Sequence, residues 1–314
     1  MKLPAFALAF LLAASAAAQD QPVTLPSATA ATAAPSTLDQ ARMIDDLKTL
    51  ASPRFEGRRT GTEGNRLAGA FIQQRFAEIG LQPFGASFAQ PFNIAASARN
   101  AGSDAVNYVG FIRGTAQPER FIVVSAHYDH LGIKNGKLYA GADDNASGVA
   151  AMLAVAAHFK HHRPAHTIVF AAFDGEEIGL RGARAFLGAL PFPKAQLALN
   201  INFDMVSHND RNELYAVGTR YTPSLVPVVA QAAARHTVTV KLGHETGAGE
   251  ENWTGASDHG PFHEAGISFL YFGVEDHADY HQPGDVFEHV NQTFFGEVAR
   301  LLVDVVGTAD QQVK

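Results

Sequence analysis

The run Arg120–Ala126 (RFIVVSA) passes directly into His127-Tyr128-Asp129-His130, and this junction decides the fold. A wholly apolar stretch led by Phe121, Ile122, Val123 and Val124 reads as a buried strand, and it ends on polar residues that no plain loop requires. Helical apolar spacing follows over Ala146–Lys160, then a second apolar run, Thr167–Phe173 (TIVFAAF), which again ends on acids, Asp174-Gly175-Glu176-Glu177. Outward from this unit the alternation continues. Strands are expected at Asn107–Arg113, Ala198–Phe203, Glu213–Val217 and Ile267–Phe272, and helices at Ala183–Leu190, Ser224–His236 and Gln292–Val306. Two more helices precede them. One carries Leu38, Ala41, Ile44, Leu47 and Leu50 with Ser36 or Thr37 as its cap, and one follows Gly61-Thr62-Glu63-Gly64 and stops at Gly80. Such alternation predicts an α/β fold, a twisted, mostly parallel but mixed central sheet sandwiched by helices. No internal repeat or second linker interrupts it, so one domain is expected over residues 37–310. Only Ala95–Asp104 is loop-like enough to hold an insertion.

Composition bounds the chemistry. The 314 residues carry 24 Lys+Arg against 31 Asp+Glu, a net charge of −7, which argues against a nucleic-acid scaffold. A hydrophobic fraction of 46% with 18% charged residues is that of a globular chain. The cysteine count is 0, which removes disulfides, thiolate nucleophiles and Cys-type zinc fingers. Any metal must sit on His, Asp and Glu, and the 14 histidines are a generous supply.

Met1–Ala18 reads as a secretory signal peptide. Lys2 supplies the positive start, Ala5–Ala14 the apolar run, and Ala16-Ala17-Ala18 the small-residue cleavage pattern. The run falls short of the roughly 20 apolar residues that span a bilayer, and no later segment is longer. The mature protein is therefore expected to be exported, periplasmic or secreted, with no stable membrane anchor. Gln19–Ser36, rich in Ala, Thr, Ser and Pro, reads as a flexible linker.

The polar segments converge. Besides the two already quoted, Gly141-Ala142-Asp143-Asp144-Asn145-Ala146-Ser147-Gly148 opens a helix, Asp204 closes the Ala198–Phe203 strand, and Asp279-Tyr280-His281-Gln282-Pro283-Gly284-Asp285 follows the Ile267–Phe272 strand. In open α/β sheets ligands bind in the crevice beyond the carboxyl ends of the strands, so these segments meet in one place. Two His, several Asp and two Glu without thiolates suit a divalent ion such as zinc, manganese or cobalt. There are more carboxylates than one zinc requires. An adjacent Glu pair allows one to coordinate and the other to take a proton from bound water, and a carboxylate between two ions fits a two-metal site.

In this order and spacing, Ser125–His130, Gly141–Gly148, Phe173–Leu180, Ser257-Asp258-His259 and Tyr280-His281 resemble the co-catalytic two-zinc aminopeptidases, whose distant relatives include glutamate carboxypeptidase II and the glutaminyl cyclases. The resemblance runs from about Leu38 to Val306. It implies a zinc-peptidase fold, peptide substrates and two zinc ions bridged by Asp144. His127 and Asp204 would complete one ion, and Glu177 and His281 the other. It further implies Glu176 as general base, Asp129 as the carboxylate orienting His127, and a cis peptide between Asp144 and Asn145. Asp258 and His259 would line the substrate side or support the ligands. Tyr280 becomes the candidate oxyanion donor, because Trp253 and Thr254 stand where some relatives carry a Tyr. A disulfide that some relatives have near the Ser-Asp segment is impossible here, so that loop must be held otherwise.

Plainer readings exist for each residue taken singly. Glu176-Glu177 could cap a helix, Asp143-Asp144-Asn145 could be only a turn and N-cap, and His281 could be a turn residue before Gln-Pro-Gly. His158, His161, His162 and His166 read as a solvated helix end rather than a second metal site. His-Glu-x-x-His, Gly-x-Ser-x-Gly and phosphate-loop motifs are absent from the sequence. The leading expectation is a metallo-aminopeptidase. A glutaminyl cyclase or carboxypeptidase on the same fold, or a non-catalytic binding module, are the alternatives.

Overall fold

Strands β4 (Gln117–His127) and β7 (His166–Phe173) lie parallel, with Val124 opposite Phe170 and His127 opposite Phe173. The computed structural model describes residues 22–29, 38–96, 102–246 and 251–313. The expected signal peptide lies outside the described residues, as do Ser36, Thr37 and most of the expected linker. Around β4 and β7 the sheet takes in β8 (Leu197–Phe203), β9 (Glu213–Val217), β10 (Thr239–Leu242), β11 (Phe269–Gly273), β3 (Ser103–Ile112), β2 (Ala89–Ile94) and β1 (Val23–Thr24). Their order is β1-β10-β9-β11-β8-β4-β7-β3-β2. The inner strands β11, β8, β4 and β7 all run parallel, and antiparallel neighbours flank them. A hairpin of β5 (Gly132–Lys134) and β6 (Lys137–Tyr139) stands apart.

Alternation along β4 sends its side chains to two layers. Ile122, Val124 and Ala126 face one core with α1 (Gln40–Leu50), α2 (Glu63–Ile79), α3 (Gly148–His161), α5 (Val226–Ala233) and α7 (Gln292–Gln312). Phe121 and Val123 face the other, with Phe186 of α4 (Arg181–Gly188) and Phe262 of α6 (His259–Glu264). The helical sandwich is therefore as expected. Several boundaries moved for local reasons. Asp39 caps α1, its side chain accepting from the Arg42 N–H at 3.0 Å. The Ser224–His236 helix splits into a tight turn at Pro223–Leu225 and the shorter α5.

Three edge features escaped the sequence pattern. β2 contains Pro91, which cannot donate to a ladder on both sides and so belongs at a sheet edge, where it lies. Pairing with β2 also draws Ser103 and Asp104 into β3, so that end of the loop expected at Ala95–Asp104 is strand. Residues 22–29 correct the linker reading. Val23 and Thr24 pair with Leu242 and Lys241, the Leu25 side chain is buried, and its N–H donates to Val240. An unpaired edge strand offers hydrogen bonds that a polar, Pro-bearing segment can take up without forming a core of its own.

The loop between α1 and α2 is tied to the strand ends by Arg58, whose side chain is fully buried. It donates to the carbonyls of Leu50 (2.8 Å), Tyr128 (2.8 Å), Ala140 (2.7 Å) and Gly141 (2.8 Å). Burial lowers its pKa to about 10, opposed chiefly by Asp144 and Asp285. A guanidinium fork serves several carbonyls at once, which an ammonium on a flexible stem does not. Replacing Arg58 by Met should destabilise the protein by about 3 kcal/mol or more, because several buried carbonyls lose their donor together. Urea unfolding will measure this, and Arg58→Lys should recover only part of the loss.

Candidate metal centre

Every expected site residue lies at the carboxyl-terminal end of the parallel strands. His127 is the last residue of β4, Glu176 and Glu177 follow β7, Asp204 follows β8, and Tyr280 and His281 lie beyond β11. Asp144 comes from the turn Ala142–Ser147 that leads into α3, and the Asp144–Asn145 peptide is cis, as the resemblance implies. The two oxygens of Asp144 face opposite ways. His127 Nε2 lies 3.3 Å from Oδ1 and 3.3 Å from Asp204 Oδ1. His281 Nε2 lies 3.1 Å from Oδ2 and 3.4 Å from Glu177 Oε2. All five expected ligands thus form two groups sharing one carboxylate.

The surrounding hydrogen bonds aim these donors. Asp285 accepts from the N–H groups of Asp143 (2.8 Å) and Asp144 (3.0 Å), fixing the turn. Asn145 donates its amide to the Phe203 carbonyl (2.9 Å) and accepts from the Gly148 N–H (2.9 Å), stapling the turn to β8. His127 Nδ1 lies 3.1 Å from the backbone carbonyl of Asp129, which leaves Nε2 to face Asp144 and Asp204. The Asp129 carboxylate, expected to do this orienting, stands 3.7 Å from Nδ1. It accepts instead from the N–H groups of Glu176 (3.0 Å) and Glu177 (3.4 Å) and from the Thr60 hydroxyl (3.1 Å), so it also positions the Glu pair.

Electrostatics separates the two glutamates. Burial raises the Glu176 pKa well above the ordinary carboxylate range; His127 opposes this, while Asp204, Asp258 and Glu177 add to it. Burial also pushes Asp144 up, but His130, His127 and His281 outweigh it and hold its carboxyl well below the ordinary range. Asp258 is buried, with its pKa raised to about 8 by desolvation, and neither of its oxygens finds a hydrogen-bond partner. Acids outnumber cations here, and Glu177 Oε1 is likewise buried without a partner. Such a donor set, oxygen-rich with imidazoles and no thiolate, fits divalent cations that would balance the charge.

Some side chains resolve differently from expectation. His259 is fully buried, and its Nε2 lies 2.8 Å from the Trp253 carbonyl; burial lowers its pKa to about 3. With His244 stacked on Trp253 at 3.6 Å, it secures the loop that lacks a disulfide. Asn202 donates to Ser257 (2.9 Å) from beneath, anchoring the Ser-Asp segment to β8. His166 is buried, its Nδ1 2.9 Å from the Asp310 carbonyl, and His162 stacks on His158 at 4.1 Å; neither joins a group of metal donors among the described residues. Two features had no role assigned from sequence. His130 groups with Asp144 and Glu177, and His208 with His277 and Asp279. Tertiary proximity alone marks them, although His130 stands in the same motif as His127.

A model of peptidase family M28 matches residues 107–306, which include every residue of this centre. A probable zinc metalloprotease of Pyrenophora tritici-repentis is 30% identical over 220 residues, covering 59% of this chain and 48% of that one. Aminopeptidase YwaD of Bacillus subtilis is 31% identical over 202 residues, covering 62% and 42%. The chain thus spans about half the length, or less, of these curated relatives. In fold it is similar to BSAP, a zinc aminopeptidase from Bacillus subtilis, with a TM-score of 0.71 at 18% identity over 90% of this chain and 97% of that one.

Asp285 touches none of the five expected ligand side chains, yet it sets the turn bearing Asp144. Asp285→Ala should leave the fold intact and raise the divalent-ion concentration needed for half-saturation about 10–100-fold. Titration of the metal-stripped protein against a competing chelator will read this.

Proposed function

The chain belongs to peptidase family M28, and from that premise we propose that it is a zinc-dependent aminopeptidase working with two ions. The observation that carries the reading is the shared carboxylate of Asp144, with His127 and Asp204 on one oxygen and His281 and Glu177 on the other. When bound, divalent ions there would lower the pKa of water to about 7 and polarise the substrate carbonyl. Glu176 takes the proton from the attacking water on its carboxylate and returns it to the leaving amine. Its raised proton affinity suits both transfers. Asp129 holds the Glu176 backbone in place, and the Tyr280 hydroxyl donates to the oxygen that becomes negative.

The lining of the cavity supports an attack at the peptide N-terminus. A space of about 190 Å³ is bounded by His127, Glu176, Asp204 and Tyr280 together with Glu251 and Asp276. No Lys or Arg lines it among the described residues. A free α-ammonium group is matched by Glu251 and Asp276, whereas a C-terminal carboxylate would find no Lys or Arg to pair with there. This favours an aminopeptidase over a carboxypeptidase. The signal-like Met1–Ala18 segment extends the proposal to an exported enzyme. No helix among the described residues is long and apolar enough to cross a membrane.

The test is metal content with hydrolysis of aminoacyl anilides. Two zinc ions per chain and chelator-sensitive release are expected. Glu176→Gln should keep its metal and lose about 10²–10⁴-fold in kcat, while Glu177→Gln should lose metal; equal metal loss in both would overturn the assignment. Peptides acetylated at the N-terminus should resist cleavage, read by mass spectrometry of the products. Conversion of N-terminal Gln peptides without shortening would replace the proposal with a cyclase on the same centre.

A further inference from the structure

His130 is completely buried against the half of the centre formed by Glu177 and His281. Its Nδ1 lies 2.7 Å from Glu177 Oε1 and 3.5 Å from Asp144 Oδ2, yet neither ring nitrogen has a hydrogen-bond partner, and Glu177 Oε1 has none either. Several nearby buried acids are satisfied. Asp129, Asp143 and Asp285 each accept hydrogen bonds from backbone N–H groups. A buried imidazole set against two carboxylates with neither nitrogen in a well-aligned hydrogen bond calls for a ligand.

The separations indicate which ligand. Around a tetrahedral zinc ion with bonds of 2.0–2.1 Å, donors stand about 3.3 Å apart. The spacings are 3.1 Å from His281 to Asp144, 3.4 Å from His281 to Glu177 and 3.5 Å from His130 to Asp144, with the 2.7 Å from His130 to Glu177 Oε1 the one shorter separation. Glu177 turns Oε2 to His281 and Oε1 to His130, and the two imidazole rings flank it with centroids 5.9 Å apart. Resting on the two-ion reading above, we propose that His130 ligates the second ion through Nδ1, as a fourth side chain beside Asp144, Glu177 and His281.

The two ions are then unequal. Four side chains close a tetrahedral shell, as in structural sites, whereas three side chains leave a position open, as in catalytic ones. The open position would fall to an ion held by His127, Asp144 and Asp204. Glu176 shares its cavity with His127, Asp204 and also His281, and its foremost charged neighbours are His127 and Asp204, while His130 and Glu177 line a neighbouring cavity of about 390 Å³. An ion held on the His130 side would be retained and would help orient Asp144, while the side of His127 and Asp204 would be left for the reacting water.

The absence of native cysteine provides a direct test. Metal-stripped wild type, His130→Ala and His130→Cys are titrated with zinc against a chelator and, separately, with cobalt(II) under an absorption spectrometer. Circular dichroism verifies that each variant is folded. Wild type should bind one ion tightly and one more weakly. His130→Ala should weaken the tighter ion at least 10-fold and leave the weaker one unchanged. His130→Cys should restore part of the tight binding and add a cobalt–thiolate charge-transfer band, which only the introduced thiolate can supply. Unchanged affinities in His130→Ala, with no thiolate band in His130→Cys, would overturn the proposal. Wild type that binds no zinc would overturn the two-ion reading beneath it.

Discussion

The orientation of one carboxylate governs the centre. Asp144 can serve two groups of donors only if its oxygens diverge towards β4 and β8 on one side and towards Glu177 and His281 on the other. That orientation is built by the protein itself, through Asp285 on the backbone N–H groups, Asn145 on the Phe203 carbonyl and Arg58 on the Gly141 carbonyl. None of these contacts is made by a ligand's side chain. A site organised in this way spends little free energy rearranging when an ion arrives.

Around that carboxylate, a single physical effect has opposite consequences for neighbouring acids. Desolvation disfavours the charged form of both Glu176 and Asp144. Three imidazoles surround Asp144 and reverse the effect, whereas acids are prominent among the neighbours of Glu176 and reinforce it. The result is one carboxyl suited to binding cations and another suited to carrying a proton. Adjacent positions in a chain, Glu176 and Glu177, divide in the same manner, because the turn after β7 directs them into different cavities. Buried acids such as Asp143 are satisfied by neighbouring donors, here the N–H and hydroxyl of Ser207, so they shape the site without competing for ions.

Much of this was legible from local pattern. The apolar runs of β4, β7 and β8 announce buried parallel strands, and polar residues just beyond each run mark the ligand-binding end of the sheet. The edges were not legible. β1 and β2 are short or carry Pro and polar residues, and they are strands only because a neighbour offers unpaired backbone groups. The role of Asp129 was half visible. Its motif position placed it beside His127, but whether its carbonyl or its carboxylate meets the imidazole depends on how the loop turns.

By itself, then, the sequence determined the layered fold and the chemical inventory at the strand ends, because both follow from residue type and spacing along the chain. Tertiary structure decided how that inventory is divided. It brought His130 to the Glu177 side of Asp144, joined His259 to the Trp253 loop, and set acidic Glu251 and Asp276 in the cavity wall. These are distances between side chains from separate loops, and a distance of that kind exists only once the packed sheet has fixed the loops in space.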